Sequence, residues 1–395
     1  MAALALVSCT KEDNNNDYKG SNYVYLSSDN TTIYQSTDNV IDVSVDLTKS
    51  IDKDVDLTFV VSGKEGLVTL EGNPVHIPAG TKSASLTIAV DKSAELISEA
   101  AVLNLNLAED AQNGDLVLKA PFTFSVVPMS AESLNDNQKA LLANYKAKTN
   151  IDLSPYVGLV KVKTTILTID YASEEPIKKD FEGYSVITIN EEASVNDSLS
   201  LDMTTNPMGI QDYAHKVYRS LTIENDEFWF DQYSSPSYKT LVDKLNWTRN
   251  SEEVFSMSLK NVNFHADGKT INYTHTFIDE PEPGEDPEMV DDPITKVPFE
   301  FGYTAWDREQ ALIASGEFNP SADPEWAYDA TSNPNAFINT SNISVDDFEA
   351  QNGHWIYPCK AELTAEGLQF TFCMLMGTND SDYTKVIATY IPNIN

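Results

Sequence analysis

Short segments in which apolar and polar residues alternate dominate the first third of the chain. Residues 40–47 read Val-Ile-Asp-Val-Ser-Val-Asp-Leu, and residues 55–61, 83–90 and 101–107 repeat the alternation. Successive side chains of an extended chain face opposite sides of a sheet, so each segment predicts a half-buried β-strand. Strands that recur at this spacing, with turn residues between them, predict an antiparallel β-sandwich over residues 22–128.

A helical pattern interrupts the strands at residues 129–152. Leu141 and Tyr145 lie four positions apart and mark one apolar side of a helix. Ser133 is a residue type that caps helix N-termini, and Asn150 is one that ends helices. We therefore expect a short helical hinge here, with its N-cap at Ser133.

Residues 153–395 return to strand patterns, and residues 217–223 are one of several predicted strands. Residues 305–313, followed by Gly316, predict a helix. Residues 279–298 carry five prolines and eight acidic residues. This composition predicts neither a helix nor a central strand, but either a surface loop or the seam between two lobes.

Together these patterns predict a mainly β chain. Its N-terminal part is an Ig-like β-sandwich, joined by a short helical linker to a larger C-terminal antiparallel β domain with long aromatic loops. The C-terminal domain begins at residue 153.

The charge of the chain limits the partners it can bind. It has 61 acidic and 26 basic residues, and its formal net charge is −35. Nucleic acid and anionic membrane surfaces are recognised by basic patches, so this excess of acidic residues argues against both. It favours neutral or cationic ligands.

Residue patterns of known catalytic sites are missing from the sequence. Its five histidines form no spaced cluster, and neither Gly-x-Ser-x-Gly nor His-Glu-x-x-His occurs. Pairs of carboxylates, which hydrolyse glycosides, arise by chance among so many acids. We therefore expect a non-catalytic protein without a cofactor. The one metal to consider is calcium, held by loop acids such as Asp91, Glu109 and Asp110, and the alternative is that these acids are simply solvated.

Two of the three cysteines lie in a predicted hairpin. Cys359 and Cys373 flank the turn sequence Thr364-Ala365-Glu366-Gly367. Across a hairpin they either form a disulfide or remain two small buried thiols, and the sequence leaves both alternatives open.

Exposed aromatic residues are the strongest indication of a ligand. All five tryptophans lie between residues 229 and 355. A flat ring can stack on the C–H face of a sugar while neighbouring polar groups bond its hydroxyls. Trp326 and Tyr328 are the leading candidates because alternate residues of an extended loop point to one side. The other candidate ligand-binding residues are Asp323, Asp329, Asn333, Trp229, Trp247 and Trp355.

Packing in a core is the alternative for each of these rings. It is favoured for Trp229 and evenly balanced for Trp355. Trp306, in the predicted helix at residues 305–313, is expected to be a core residue.

The N-terminal residues have a composition typical of exported lipoproteins. The short run Ala2-Ala3-Leu4-Ala5 is followed by Leu6-Val7-Ser8-Cys9 and then by Lys11-Glu12-Asp13. The first two segments resemble the end of a bacterial lipoprotein signal peptide, in which the cysteine becomes the lipidated first residue. The third resembles the surface-export signal of Bacteroidetes lipoproteins. Residues 1–8 are thus interpreted as a signal-peptide remnant, and residues 9–21 as a flexible tether.

The chain as a whole resembles the surface glycan-binding lipoproteins of Bacteroidetes polysaccharide-utilisation (Sus-like) systems. The resemblance rests on the N-terminal residues, on the similarity of residues 77–88 to Calx-β and Ig-like repeats, and on the aromatic-rich C-terminal part. It implies an outer-membrane location facing the cell exterior, anchored by lipid on Cys9. It also implies a TonB-dependent transporter and its lipoprotein lid as partners.

For this chain the resemblance implies non-catalytic capture of a polysaccharide or oligosaccharide, for which a fructan such as levan is one candidate. Two alternatives stay open. One is a surface adhesin or structural lipoprotein that binds protein, and the other is a diverged glycan-active hydrolase.

Overall fold

The computed structural model describes residues 20–108, 116–170, 175–195, 197–225, 242–277, 294–319, 332–338, 340–342, 359–375 and 383–393. The chain divides into two compact units, Met1–Met129 and Ser130–Asn395. Both are built mainly from β-strands, as the alternation of the sequence predicts.

The first unit is an Ig-like β-sandwich. A five-stranded sheet has the strand order β10-β1-β3-β8-β6, a four-stranded sheet has the order β2-β11-β9-β5, and β4 pairs with β7. The strands are β1 (Asn22–Ser27), β2 (Thr32–Tyr34), β3 (Val40–Leu47), β4 (Val55–Leu57), β5 (Phe59–Ser62), β6 (Val68–Glu71), β7 (Val75–Ile77), β8 (Ser83–Val90), β9 (Ala101–Leu107), β10 (Leu116–Leu118) and β11 (Phe122–Val127).

Alternate apolar residues of these strands form one core between the sheets. In β3, Ile41, Val43 and Val45 are fully buried, while the polar residues between them are exposed. This arrangement buries apolar area from both inner faces, which is the main source of stability for a sandwich. The predicted strands at residues 40–47, 83–90 and 101–107 are therefore confirmed.

The predicted strand at residues 55–61 is divided between two sheets. β4 pairs with β7, whereas β5 pairs with β9. At the crossing, the Asn73 side chain bonds both backbone groups of Phe59: its oxygen accepts from the N–H at 2.8 Å and its amide donates to the carbonyl at 3.0 Å. A distant side chain thus satisfies the backbone where the strand changes partner, and such a contact has no local sequence signal.

The second unit contains twelve strands among its described residues. They are β12 (Gly158–Asp170), β13 (Glu175–Ile189), β14 (Ser198–Thr205), β15 (Phe255–His265), β16 (Ile271–Asn272), β17 (His275–Phe277), β18 (Ile294–Lys296), β19 (Phe299–Tyr303), β20 (Ser341–Asn342), β21 (Lys360–Leu363), β22 (Leu368–Leu375) and β23 (Tyr383–Ile391). The helices include α1 (Asp136–Thr149), α2 (Gln211–Leu221) and α3 (Thr304–Ser315), with 3-10 helices at Ala131–Ser133, Ser154–Tyr156, Pro207–Gly209 and Pro334–Ala336. Residues 242–245 are also helical.

The main sheet of this unit nearly closes into a barrel. Its strand order is β16-β15-β14-β13-β12-β23-β22-β21, and β19 pairs with β15 beside this path. Tyr273, which follows β16, crosses the seam towards the other edge of the sheet. Its hydroxyl donates to the carbonyl oxygen of Thr371 at 2.7 Å and lies 3.3 Å from that of Lys360. These contacts join the two edges.

A 3-10 turn fills part of the space inside this sheet. The backbone N–H of Met208 donates to the Tyr390 hydroxyl at 2.7 Å, and both residues are fully buried. Gly209 has φ +68°, and a Cβ there would lie 2.7 Å from Cγ1 of Val162. Glycine therefore allows the turn to approach β12 closely.

The predicted helix after the sandwich is present, but its N-cap is Asn135 rather than Ser133. The Asn135 side chain accepts from the backbone N–H of Gln138, and the Gln138 side chain accepts in return from the N–H of Asn135. This reciprocal pair satisfies two otherwise unbonded donors, which explains the later start. Ser133 instead lies in the preceding 3-10 helix, and Asn150 caps the C-terminus in the left-handed conformation.

Two other expectations are wrong. Residues 217–221 belong to helix α2, not to a strand, because Ala214 and Tyr218, one helical turn apart, are both fully buried. Within the proline-rich segment 279–298, residues 294–296 form β18, the middle strand of the sheet β17-β18-β20. The strand Ile294–Lys296 itself contains no proline, so its backbone donors remain available.

The two cysteines of the predicted hairpin are present as thiols. β21 and β22 pair about the turn, as expected. Cys373 is buried and Cys359 is half-buried, and neither forms a disulfide. Burial first of all, and then the neighbouring Cys373, raises the pKa of the Cys359 thiol to about 11, so it stays protonated near neutral pH.

Candidate functional site

The structure describes two of the predicted ligand-binding residues, Trp247 and Asn333. The remaining predicted site residues lie outside the described residues: Cys9, Trp229, Asp323, Trp326, Tyr328, Asp329 and Trp355. The predicted aromatic loop at residues 320–331 lies between the described residues Asn319 and Ser332.

Trp247 is a core residue, so its prediction as a ligand-binding residue is wrong. Its side chain is 0% exposed. Its indole N–H donates to the Tyr303 hydroxyl at 3.0 Å, and its ring centroid lies 6.4 Å from that of Tyr218. The polar neighbours Asn246 and Thr248 suggested a surface loop, but the indole itself points inward and finds a buried acceptor.

An aromatic cluster surrounds Trp247. The Tyr303 ring packs edge-on against Tyr218, with centroids 5.1 Å apart, and His215 stacks on Phe255 at 4.9 Å. Burial raises the pKa of Tyr303 to about 12 and lowers that of His215. Both groups are therefore neutral at physiological pH, as suits a packed interior.

An ion pair holds α3 next to this aromatic cluster. The Arg308 guanidinium donates to Glu253 at 2.6 Å and to the Leu245 carbonyl oxygen at 3.0 Å. Burial opposes ionisation of Glu253, but its hydrogen bonds from Arg308 and Thr304 outweigh that effect and lower its pKa. Trp306, on the same helix, is half-buried rather than fully enclosed.

The described residues on both sides of 320–331 are attached to α3. Before the loop, the backbone N–H of Phe318 donates to the Leu312 carbonyl oxygen at 3.2 Å. After it, Ser332 is fully buried, and its N–H and hydroxyl donate to the Glu309 carboxylate at 2.7 and 2.6 Å. Residues 309 and 312 are one helical turn apart, so Phe318 and Ser332 contact the same turn of α3.

Asn333 follows this anchor and caps the 3-10 helix at Pro334–Ala336. Its side-chain oxygen accepts from the Asn335 backbone N–H at 3.0 Å. The residue thus has a local structural function, whether or not it also contacts a ligand.

A concave surface lies on the solvent side of the main sheet, and the sequence analysis did not predict it. The groove has a volume of about 530 Å³. It lies mainly on β12, β22 and β23, and we call the solvent-facing side of these strands and of their neighbours β13 and β21 the outer face. The groove is lined by Lys163, Thr165, Glu366, Gln369, Ile387, Thr389 and Ile391.

A tight turn places Glu366 at one end of this groove. Gly367 has φ +150°, and a Cβ there would collide with the carbonyl oxygen of Tyr390. The Thr364 N–H donates to the Gly367 carbonyl oxygen at 2.8 Å and closes the turn. Only glycine fits this position, so the position of Glu366 is determined by the fold.

Another groove, of about 570 Å³, lies between α1 and the start of β14. Leu141, Tyr145 and Lys148 form its helical side, and the exposed Val195 lies on the other side. Burial raises the pKa of Tyr145, so its phenol is neutral. A cavity of about 240 Å³ adjoins Tyr145 near the barrel seam.

Neither a metal cluster nor a membrane span is found in the described parts of the chain. Three or more His, Cys, Asp and Glu side chains do not converge there in a way that could hold a metal ion. Asp91, a candidate calcium ligand, accepts bonds from the hydroxyl and N–H of Ser93, which lower its pKa, whereas Glu109 and Asp110 lie outside the described residues. None of the described helices is both long and apolar enough to cross a bilayer.

Models of known families match both units. Residues 132–391, more than half of the chain, match a family described as Domain of unknown function (DUF8472). The chain belongs to this family. The region shared with the DUF8472 family covers nearly all of the second unit, including the outer face. Residues 18–131 match Domain of unknown function (DUF4929), which covers the sandwich.

Similarity to solved structures is weak. The CupB2 chaperone of Pseudomonas aeruginosa is 12% identical over 41% of this DUF8472 chain and 92% of the chaperone, with a TM-score of 0.19. The calcium binding domain CBD12 of CALX1.1 is 10% identical over 49% of this chain and 87% of its own, and CBD12 from CALX1.2 is 10% identical over 49% and 86%; both have TM-scores of 0.19. No curated protein matches the chain.

Proposed function

We propose that this protein is a non-catalytic lipoprotein of the outer cell surface that captures a neutral polysaccharide or oligosaccharide. A fructan such as levan is one candidate. In this proposal Cys9 carries the lipid, the sandwich of the first unit acts as a spacer, and the second unit holds the glycan. A TonB-dependent transporter and its lipoprotein lid would receive the captured glycan.

One structural observation supports a binding role for the second unit. Phe318 and Ser332, on either side of the predicted loop that carries Trp326 and Tyr328, are attached to one turn of α3. The attachments are the Phe318–Leu312 hydrogen bond and the buried Glu309–Ser332 contact. Loops that are fixed at their ends on a rigid scaffold are frequent sites of ligand binding. The aromatic cluster beneath α3 supplies that scaffold.

The residues of the loop match the chemistry of a sugar. Its Trp and Tyr offer apolar ring faces, and Asp323 and Asp329 offer acceptors for hydroxyl groups. A neutral ligand also suits a chain of net charge −35, because an anionic polysaccharide would be repelled.

Affinity electrophoresis of residues 10–395 through gels that contain levan, starch or xyloglucan tests this proposal. We expect one polysaccharide to retard the protein, and Trp326→Ala to weaken the apparent affinity by about tenfold or more, in the range for loss of a stacked aromatic ring. Trp326→Phe, which keeps a ring, should retain most of the retardation.

Tyr25→Ala is the matched control, because Tyr25 is an exposed aromatic residue of the first unit, 43% accessible to solvent. It should leave the retardation unchanged. Absence of retardation by every polysaccharide would overturn the proposed function. Retardation that Trp326→Ala and Tyr328→Ala both leave intact would overturn the assignment of the loop.

A further inference from the structure

The outer face carries rows of mostly polar side chains across five strands. One row runs Glu182, Lys163, Thr389, Gln369 and Glu362 through directly paired positions on β13, β12, β23, β22 and β21. The next row runs Asp180, Thr165, Ile387, Thr371 and Lys360. Neighbouring strands are about 4.8 Å apart, so each row is about 19 Å wide.

The charges on this face compensate one another locally. Glu182 lies 2.6 Å from Lys161 and 3.5 Å from Lys163, and Asp180 lies 2.9 Å from Lys178. At the far edge Lys360 and Glu362 are 2.8 Å apart. A protein with a large excess of acids therefore presents here a surface with nearly balanced charge, which neither repels nor selects an ion.

The groove on this face combines an apolar floor with hydrogen-bonding side chains. Ile387 and Ile391 are half-buried, so parts of both remain accessible. The Gln369 amide donates to the Thr389 hydroxyl at 3.1 Å, which uses one of its two N–H groups. The volume of the groove, about 530 Å³, lies within the usual range of small-ligand sites.

An exposed aromatic ring lies on the same face, two strands from the groove residue Ile391. Tyr184 is 39% exposed and is paired with Lys161, which in turn is paired with Ile391 at the groove. A sugar ring needs an apolar face to cover its C–H groups and polar neighbours for its hydroxyls, and this face supplies both.

From these observations we propose that the outer face is a second glycan-contacting surface, which takes an uncharged, extended polysaccharide lying across the strands. This inference rests on the proposed function and adds a site to it. In the sheet order, β15 and its partner β19, which leads into α3, are separated from β12 by β14 and β13. The groove is therefore distinct from the turn of α3 that contacts Phe318 and Ser332, and two sites on one chain would raise the apparent affinity for a polymer through avidity.

The test compares variants of residues 10–395 in gels that contain the polysaccharide that retards the unmodified protein. We expect the triple variant Tyr184→Ala, Lys163→Ala and Gln369→Ala to weaken the apparent affinity by about tenfold or more. Combined with Trp326→Ala, it should abolish retardation. Lys260→Ala is the matched control, because Lys260 is an exposed lysine of the same sheet, ion-paired to Glu300 at 2.6 Å on strands away from the groove.

The outcomes separate the two proposals. If Trp326→Ala weakens binding and the triple variant binds as the unmodified protein does, the outer-face site is overturned and the proposed function stands. If no polysaccharide retards the unmodified protein, both fail. A protein partner captured on this face instead, with its binding abolished by the triple variant, would also overturn the inference. A far-ultraviolet circular dichroism spectrum identical to that of the unmodified protein establishes that the triple variant is folded.

Discussion

The inner and outer faces of the main sheet use the same strands for different purposes. On β12 the inward residues Val160, Val162 and Ile166 are fully buried, whereas Lys163 between them is exposed. Because successive residues face opposite sides, one strand can be optimised for packing on one face and for solvent contacts on the other. Outward residues of a strand can therefore be substituted to test binding while its inward residues keep the core packed.

The interior of the second unit is far more sensitive to substitution than its surface. It holds large aromatic side chains without solvent exposure, among them Trp247, Tyr218 and Tyr390. The outer face instead holds ion pairs between exposed groups, which contribute little to stability. The predictions below go from the largest expected loss to the smallest.

Trp247→Ala should have the largest effect. It removes a fully buried indole and leaves the Tyr303 hydroxyl without its donor. We expect the free energy of unfolding to fall by about 3–5 kcal/mol, measured by urea unfolding followed by circular dichroism. Tyr25→Ala on the first unit is the control and should change it by less than about 1 kcal/mol. A similarly small change for Trp247→Ala would place this ring on the surface.

Tyr390→Phe should have an intermediate effect. The substitution leaves the buried backbone N–H of Met208 without its acceptor. A buried donor that loses its partner costs about 1–3 kcal/mol. Urea unfolding at neutral pH measures this loss, and an unchanged midpoint would mean that water or another group replaces the hydroxyl.

The raised pKa of Tyr390 predicts a loss of stability at high pH. Burial raises the pKa of Tyr390 to about 12, above the usual value near 10 for an unfolded chain. The unfolded state therefore loses its proton first, and the stabilisation present below about pH 10 disappears as the pH rises towards 12. At about pH 11 this group alone should cost roughly 1 kcal/mol.

Unfolding midpoints of the unmodified protein and of Tyr390→Phe at about pH 8 and pH 11 measure this contribution. The variant should lose less stability between the two values. An equal loss in both proteins would show that Tyr390 does not remain protonated in the fold.

Substitutions on the outer face should have the smallest effect on stability. Lys163→Ala and Gln369→Ala each remove exposed or half-buried polar groups and leave the core intact. We expect changes of about 0.5 kcal/mol or less in the free energy of unfolding, together with the loss of glycan affinity proposed above. A large loss of stability would mean that these residues hold the sheet together and were not selected for binding.

Local patterns in the sequence were sufficient to predict the long, regular strands of the first unit. β3, β8 and β9 have the predicted bounds, because their alternation is long and regular. Helix α3 ends at Gly316 as expected, with φ +76° at that residue. Such features depend on neighbouring residues alone.

The errors and omissions depend on contacts between distant parts of the chain. Trp247 appeared to lie in a polar loop, but Tyr303, 56 residues away, makes it a core residue. The outer face exists because β23 pairs with β12, which places Thr389 beside Lys163. Without that pairing, the sequence offers polar residues on separate strands and no surface.

The most direct test of the account is a lysine footprint on the outer face. The intact chain is treated with acetic anhydride with and without the polysaccharide that retards it, and each lysine is quantified by mass spectrometry. We predict that the polysaccharide protects Lys161 and Lys163 but not Lys260. Equal acetylation of all three lysines with and without glycan would contradict a binding role for this face.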